Sequence, residues 1–366
     1  MSERGRAAAP DDGAFMRRAL SLAERGWGQT APNPMVGAVV VQDDLVVGEG
    51  WHAAFGAAHA EVEALRVAGE SARGATLYVT LEPCNHHGKT APCTAAILEA
   101  GVARVIVATD DPHHMARGGA EVLREHGVEV VMGVERDAAR ELNAAFFHAM
   151  VSARPFVRLK LALSLDGALA DQTRRQGWLT GPAARSQVHR LRAGVDAVAV
   201  GIGTVLADDP MLTVRGVRPS PRVPPTRVVF DTSARLPLTS RLVLSAADEP
   251  VVVICWAPDP AHAAALEHAG VTVVHAATLA DAMVALRQLH VQHLLVEGGA
   301  GIASAFLQDA LVDRLIIFRA PVVLGGGALN AFGGIQASTV TAAPRWRIMQ
   351  SQRYGDDEMT VYAPPV

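Results

Sequence analysis

Cysteine is scarce in this chain: Cys84, Cys93 and Cys255 are the only three in 366 residues. An odd, low count argues against a disulfide framework and for a reducing, cytoplasmic setting. A basic excess is missing too. Thirty-three Lys and Arg face 37 Asp and Glu, a net charge of -4, which leaves no electrostatic footprint for a nucleic-acid backbone. No apolar run reaches the length that spans a bilayer, so no membrane partner is expected. The opening MSERGRAAAPDDGAF lacks the apolar stretch of a signal peptide and reads as a frayed end. What is plentiful is apolar residue: half the chain is hydrophobic and 19% is charged, a globular balance. The length exceeds what one core comfortably serves, so two domains are expected.

The pattern along the chain is strand alternating with helix. AFMRRALSLAERG (14–26) reads as an amphipathic helix, and VGAVVVQDDLVVGEGWH as two strands turning at Gln42-Asp43-Asp44. HAEVEALRVAG begins a helix at His59, with Val62, Leu65 and Val67 or Ala68 expected on its buried side. ATLYVTLEPC, VARVIVATDD and VEVVMGV read as strands, and PCTAAILEAG and GGAEVLREHG as helices. One closing helix is expected from about Asp137 to Val151. The expected first domain is therefore a three-layer α/β/α unit over 1–151. Ser152-Ala153-Arg154-Pro155 reads as a linker, and the alternation restarts over 155–366. Further strands are expected at FVRLKLALSLDG, DAVAVGIGT, TRVVFD, EPVVVICWA, VTVVHA, HLLVEGG and RLIIFRAPVVLG, with a Pro- and Arg-rich loop at 215–227. Cys255, inside VVVICWA, reads as an inert buried thiol.

Chemistry concentrates in the first quarter. His59-Ala60-Glu61 is followed by Pro83-Cys84 and then Pro92-Cys93. One imidazole and two thiolates are three ligands for a tetrahedral Zn²⁺, leaving a fourth position for water, the catalytic arrangement. Glu61, two residues after the histidine, can shuttle protons to and from that water. His-x-Glu with a later Pro-Cys and a second Cys is the pattern of the zinc nucleobase deaminases. A structural site would need a fourth protein ligand, for which His86, His87, His113 and His114 are candidates. Eight residues separate the two cysteines, where simple deaminases resemble Pro-Cys-x-x-Cys. The insert carries His86, His87, Gly88 and Lys89, a loop able to hold a substrate phosphate. A tRNA-type deaminase fits poorly with the wide cysteine gap and the acidic balance. A zinc-stabilised binding protein would have no need of Glu61.

TLEPCNHHGKTAPC, PNPMVGAVV and HAEVEAL resemble the bifunctional riboflavin-biosynthesis deaminase-reductase family. In the second half LKLALSLDG, GWLTGPAAR, GTVLADDPMLTVR and VEGGAGIASAFL resemble its reductase domain. The resemblance covers nearly the whole chain. It implies an α/β fold of two parts, a cytidine-deaminase-like domain followed by a dihydrofolate-reductase-like domain. It implies zinc-dependent deamination of 2,5-diamino-6-(5-phosphoribosylamino)pyrimidin-4-one, then NADPH-dependent reduction of the ribosyl chain to ribityl. It also implies a homodimer or higher homo-oligomer. Carried over by motif, Asn33 and His52 contact the pyrimidine, and His86 and Lys89 the phosphate end. On their own, Asn33 reads as a turn residue between prolines and His52 as a strand-end histidine.

For the reductase half the resemblance implies that Ala162, Trp178, Thr204, Asp208, Thr232 and the turn Gly299-Ala300-Gly301 line the NADPH site. It implies that Gln176, Arg192, Leu212, Arg215 and Glu297 face the substrate. Gln176 stands where the family carries Ser, and Ala162 where it tends to carry Gly. The physical reading agrees in part. Guanidinium forks bind phosphate bidentately, and a glycine turn opening a helix can cradle phosphate. A full Gly-x-Gly-x-x-Gly with its ribose-binding acid is absent, which disfavours a Rossmann dehydrogenase. Trp178 alone reads as a core or interface aromatic. Lys160 lies in an apolar strand, costly unless it serves the substrate or pairs with a carboxylate such as Asp166; it is the candidate to polarise or protonate the sugar oxygen. Arg235, near Thr232, is a candidate for the 2′-phosphate.

Overall fold

The computed structural model of the chain describes residues 12–85, 92–113, 115–173, 177–336 and 338–365. Internal contacts divide it into two units, Met1–Val151 and Ser152–Val366.

In the first unit α1 (Asp12–Ala23) runs into a short 3-10 turn, followed by β1 (Gly37–Gln42) and β2 (Leu45–Trp51). Asp43 and Asp44 both take positive φ between them, the backbone of a tight two-residue hairpin. Then come α2 (Ala60–Ala68), β3 (Thr76–Val79), α3 (Cys93–Ala100), β4 (Arg104–Val107), α4 (Gly119–Glu125), β5 (Glu129–Met132), α5 (Arg136–Leu142) and α6 (Ala144–Val151). The sheet order is β2-β1-β3-β4-β5, with β3, β4 and β5 parallel. Strand alternation sorts the side chains into two layers. Ala38, Val40, Leu77 and Val105 pack with α2, α3 and α4, through Ala64, Ile97 and Leu123. Val39, Val41, Tyr78 and Ile106 pack with α1 and α5, through Met16, Ala19 and Ala139. The unit is a three-layer α/β/α sandwich.

Two elements differ from the sequence reading. The buried side of α2 is Ala60, Ala64, Leu65 and Ala68, while Val67 is 53% exposed and Val62 half-buried. The cause is Gly48 and Gly50 on β2. A Cβ there would sit 2.2 Å from the Ala64 carbonyl and 2.3 Å from that of Ala60. The glycines let the helix backbone lie on the strand, so its alanines rather than its valines turn inward. The closing helix is two, broken at Asn143. That side chain accepts from the Met35 amide and donates to the Met35 carbonyl, both at 2.8 Å. An asparagine that bonds distant backbone interrupts a helix readily, and this one pins the loop bearing Asn33.

The second unit contains β6 (Phe156–Leu163), β7 (Ala168–Ala170), α7 (Pro182–Ala193), β8 (Ala197–Gly201), α8 (Ile202–Asp208), β9 (Thr226–Phe230), α9 (Arg241–Leu244) and β10 (Val251–Cys255). It continues through α10 (Pro260–His268), β11 (Thr272–His275), α11 (Leu279–Gln288), β12 (His293–Glu297), α12 (Ala300–Gln308), β13 (Arg314–Arg319), β14 (Leu329–Asn330), β15 (Arg347–Tyr354) and β16 (Asp357–Ala363). Nine strands form one sheet in the order β11-β10-β9-β8-β12-β6-β13-β16-β15. It is parallel from β11 to β13 and antiparallel at β16 and β15. Helices α11 and α12 cover one face, where Leu159, Leu161 and Val296 point. Helices α7 to α10 cover the other, where Val198, Leu295 and Ile316 point. The β15–β16 hairpin, unread in the sequence, leaves most of β15 exposed; an edge strand of polar residues lacks the apolar run that marked the others. Among the described residues no helix is long and apolar enough to cross a membrane.

Asp12 anchors α1 to the first unit's sheet. It is 1% exposed, accepts from the Tyr78 hydroxyl at 2.8 Å, and takes two bonds from the Arg104 guanidinium at 3.2 Å. Arg104 is 19% exposed and keeps Glu129 at 3.3 Å, so removing Asp12 leaves the buried Tyr78 hydroxyl and part of the guanidinium unpaired, which costs about 1–3 kcal/mol. Asp12→Ala should lower stability by that amount in urea unfolding; a loss below about 1 kcal/mol would mean the pair behaves as an exposed one.

Candidate active sites

In the first unit three elements converge at one end of the sheet. His59 is the N-cap of α2, and Glu61 stands in that helix's first turn. Cys93 is the first residue of α3, with Pro92 as its N-cap. Cys84 follows β3, and its sulfur accepts from the Cys93 amide at 3.4 Å. Both helices begin at the cluster, and a helix N-terminus favours negative charge. The His59 Nδ1 lies 3.2 Å from the Cys93 sulfur and 3.6 Å from that of Cys84. All three ligand atoms fall within 4.8 Å of one another. Tetrahedral zinc with ordinary Zn–N and Zn–S bonds would hold nitrogen and sulfur about 3.6 Å apart. The donor set fits the metal. His113 lines the cavity nearby but is not a member of this group.

The electrostatics suit proton transfer. Glu61 is 3% exposed, and burial pushes its carboxyl up to about 7, near where a general acid-base is most effective. The Cys93 thiol beside Cys84, together with His59, holds Cys84 down as a thiolate. Burial lowers the His52 imidazole below its ordinary value, against the pull of the Ala58 carbonyl. Its Nδ1 bonds the Ala58 carbonyl at 3.1 Å, which leaves Nε2 for the Asn33 amide at 3.4 Å. Asn33, His52, His59, Glu61 and Cys84 line one cavity of about 320 Å³. His86 and Lys89 lie outside the described residues.

The cavity also brings in residues that the sequence reading passed over: Glu82, Asp111, Phe55 and Phe146. Glu82 is a tether. Its carboxylate accepts from the amides of Asp111 (3.2 Å), Gly118 (3.1 Å) and Ala120 (3.1 Å). It thereby ties α4 and the loop after β4 to the strand end that leads into Cys84. Its signal lay in the Glu-Pro-Cys string, and that of Asp111 in an acidic pair at the end of a parallel strand. Gly119 completes the joint: a Cβ there would stand 1.9 Å from the Pro83 carbonyl. Gly119→Ala should displace Pro83-Cys84 and weaken zinc retention by about 10–100-fold, the range for loss of ligand support. Metal analysis after graded chelation measures it; unchanged retention would mean that the loop yields without moving Cys84.

In the second unit Lys160 and Glu297 are register partners on β6 and β12, on the face that α7 covers. The lysine's partner is Glu297, with Nζ 3.8 Å from its carboxylate, and not Asp166. Asp166 instead accepts from the Ser164 hydroxyl and from the amides of Leu324 and Gly325. Arg192 on α7 grips Glu297 with two bonds, at 2.5 and 3.1 Å, and the Thr213 carbonyl at 2.9 Å. Burial would push Glu297 up, but Arg192 and Lys160 outweigh it and hold it near 2. Burial lowers Lys160 towards giving up its proton. Leu212 is buried at φ +56°, and Arg215 lies exposed just beyond it.

Ala162 shares the Lys160 face of β6. Gly299 is the N-cap of α12 with no side-chain cap, followed by Ala300 and Gly301. Gly201 caps α8 in the same uncapped way at the end of the neighbouring strand. Thr204 sits beside Gly299, its hydroxyl 3.8 Å from where a Cβ would be. Two glycine-capped helix starts side by side fit the phosphates of a dinucleotide. Asp208 ends α8, and Thr232 follows β9 on the surface. Trp178 is not a core residue: it is 73% exposed, with the Arg185 guanidinium 4.9 Å above its ring. Arg235 is exposed and paired with Asp231 at 3.6 Å. Gln176 lies outside the described residues.

This fold and its sites define a zinc-dependent deaminase joined to a dihydrofolate-reductase-like domain. Residues 10–109 match the model of the cytidine and deoxycytidylate deaminase zinc-binding region, and 155–360 that of the RibD C-terminal domain. The riboflavin biosynthesis protein RibD of Aquifex aeolicus is 42% identical, covering 94% of this chain and 96% of that protein. The structure of Acinetobacter baumannii RibD superposes with a TM-score of 0.85 at 39% identity, covering 97% of this chain and 99% of that one. A Thermotoga maritima diaminohydroxyphosphoribosylaminopyrimidine deaminase/5-amino-6-(5-phosphoribosylamino)uracil reductase superposes at 0.84 and 35%, covering 96% and 98%. The chain belongs to the family of bifunctional riboflavin-biosynthesis deaminase-reductases.

Proposed function

We propose that the first unit hydrolytically deaminates 2,5-diamino-6-(5-phosphoribosylamino)pyrimidin-4-one. The second unit then reduces the ribosyl chain with NADPH, giving 5-amino-6-(5-phosphoribitylamino)uracil. The observation that carries this reading is the buried Glu61 beside the His59, Cys84 and Cys93 cluster, on the wall of a single cavity. His59, Cys84 and Cys93 would hold zinc, which supplies a water of lowered pKa. With that water in place, Glu61 would be the group that carries protons to the ring nitrogen and the departing ammonia. Asn33 and His52 orient the pyrimidine, and His86 and Lys89 hold its phosphate end.

In the second unit the uncapped turn Gly299-Ala300-Gly301, with Ala162, Trp178, Thr204, Asp208 and Thr232, receives NADPH, the source of hydride. Arg192, Leu212, Arg215, Gln176 and Glu297 receive the phosphorylated sugar. NADPH would supply the hydride for C1, and Lys160 would donate the proton to the sugar oxygen. Its buried position and the carboxylate beside it suit a proton donor that must be charged again after each turnover. We also infer a homodimer formed through the second unit, whose exposed edge strand β15 is free to extend the sheet, and a cytoplasmic location in keeping with the few cysteines.

Mass spectrometry of the diaminopyrimidine ribosyl phosphate incubated with the protein tests the two reactions. Ammonia loss is expected without NADPH, and a two-hydrogen gain only once NADPH is added; no change in zinc-loaded protein would reject this substrate. Glu61→Ala should keep zinc and lose about 10²–10⁴-fold in deamination. Retained deamination there would remove the proton shuttle. Lys160→Met leaves Glu297 paired with Arg192, so the fold should persist. It should abolish NADPH oxidation and spare ammonia release; normal reduction in this variant would end the assignment of Lys160.

A further inference from the structure

The segment that carries Arg215 does not hold its shape alone. Asp209 and Leu212 both take positive φ, 40° and 56°, a conformation that costs a non-glycine residue free energy and persists only where neighbours impose it. Leu212 is anchored by burial, at 3% exposure. Beyond it the backbone is gripped from α7. Arg192 donates to the Thr213 carbonyl at 2.9 Å, and the Arg215 amide donates to His189 Nδ1 at 3.2 Å. His189 and Arg192 are three residues apart on one helix, hence on one face. The same Arg192 also holds Glu297, so α7 links the loop to the buried carboxylate.

We propose that His189 is a positioning residue of the reductase: by accepting the Arg215 amide at Nδ1, it sets the Thr213–Arg215 segment where the Arg215 side chain meets the substrate phosphate. This rests on the reading of Arg215 as a substrate-facing residue. Only the neutral imidazole with an unprotonated Nδ1 can accept that bond. The groups facing the ring are Arg192 on its own helix, Arg215 and the Thr213 carbonyl on the loop, and Glu297 on β12. Burial and the two guanidiniums keep His189 below the ordinary imidazole value, against the opposing pull of Glu297 and the Thr213 carbonyl. The sign follows. Above its folded pKa the ring is neutral and the loop is held. As pH falls through that value the ring gains a proton, Nδ1 ceases to accept, and the grip on the segment is lost.

The test is steady-state reduction of the phosphorylated aminouracil substrate by the full-length protein across pH, for wild type, His189→Ala, His189→Asn and Arg215→Ala. An asparagine oxygen stands near the position of Nδ1 and accepts at every pH. His189→Ala should raise KM about tenfold with kcat nearly unchanged, the size of one lost hydrogen bond. His189→Asn should restore KM and abolish the rise in KM that wild type shows at acid pH. Titration of the substrate phosphate is common to both proteins and cancels in their comparison. If Arg215→Ala raises KM and His189→Ala does not, the positioning role is wrong while the reading of Arg215 stands. If neither changes KM, the reading of Arg215 fails and the proposal with it. An equal fall in kcat for both His189 variants would make the imidazole itself a participant, which also overturns the proposal.

Discussion

Glu297 carries a negative charge inside the sheet of the second unit, and the surrounding site is arranged around compensating it. An unpaired buried carboxylate would be driven to its neutral form. Two bonds from Arg192 and the ammonium of Lys160 keep it ionised instead, near 2. That single requirement fixes the geometry of three elements. β6 and β12 must be register neighbours for Lys160 to face Glu297, and α7 must lie over them for Arg192 to reach. The loop after α8 is then caught between α7 and the strand end through Thr213. A cluster assembled from one carboxylate outward thus ties two strands and a helix to a single buried charge.

The first unit solves a different problem, bringing three metal-type donors and one buried carboxylate to a point. It uses helix starts. α2 supplies His59 and Glu61 within one turn, and α3 supplies Cys93 at its first residue. The close approach of α2 to β2, made possible by Gly48 and Gly50, sets how deep Glu61 lies. That depth is what raises its carboxyl to about 7. Packing of a glycine strand against a helix thus bears directly on acid-base chemistry. Burial that would be a cost in a structural glutamate is what suits Glu61 to the proton transfer proposed for it.

Much of this was legible in the chain. The strand and helix alternation, the hairpin at Asp43-Asp44 and the metal triad follow from local patterns: period-two and period-3.6 hydrophobicity, paired turn residues, and His-x-Glu with two later Pro-Cys pairs. What was missed has a common cause. Val67 faces solvent because of glycines on another strand, not because of anything in its own helix. The break at Asn143 comes from a bond to Met35, more than a hundred residues earlier in the chain. Glu82 and Asp111 are marked by the Glu-Pro-Cys string and an acidic pair, but the backbone amides through which they join the site are not. The β15–β16 hairpin, at a solvent-facing edge, carries little of the apolar run by which buried parallel strands are read.

The sequence by itself determined the chemical inventory: which residues can bind a metal, move a proton or hold a phosphate, and, through its resemblance to one family, in what order the two reactions stand. Tertiary structure decided the pairings. That Lys160 answers Glu297 rather than Asp166, that Trp178 stands in solvent rather than in a core, and that His189 meets the Arg215 amide are outcomes of sheet register and helix placement. The physical reason is that residue type sets what a side chain can do, whereas its partner is chosen by long-range packing, where segments far apart in the chain compete for the same buried space.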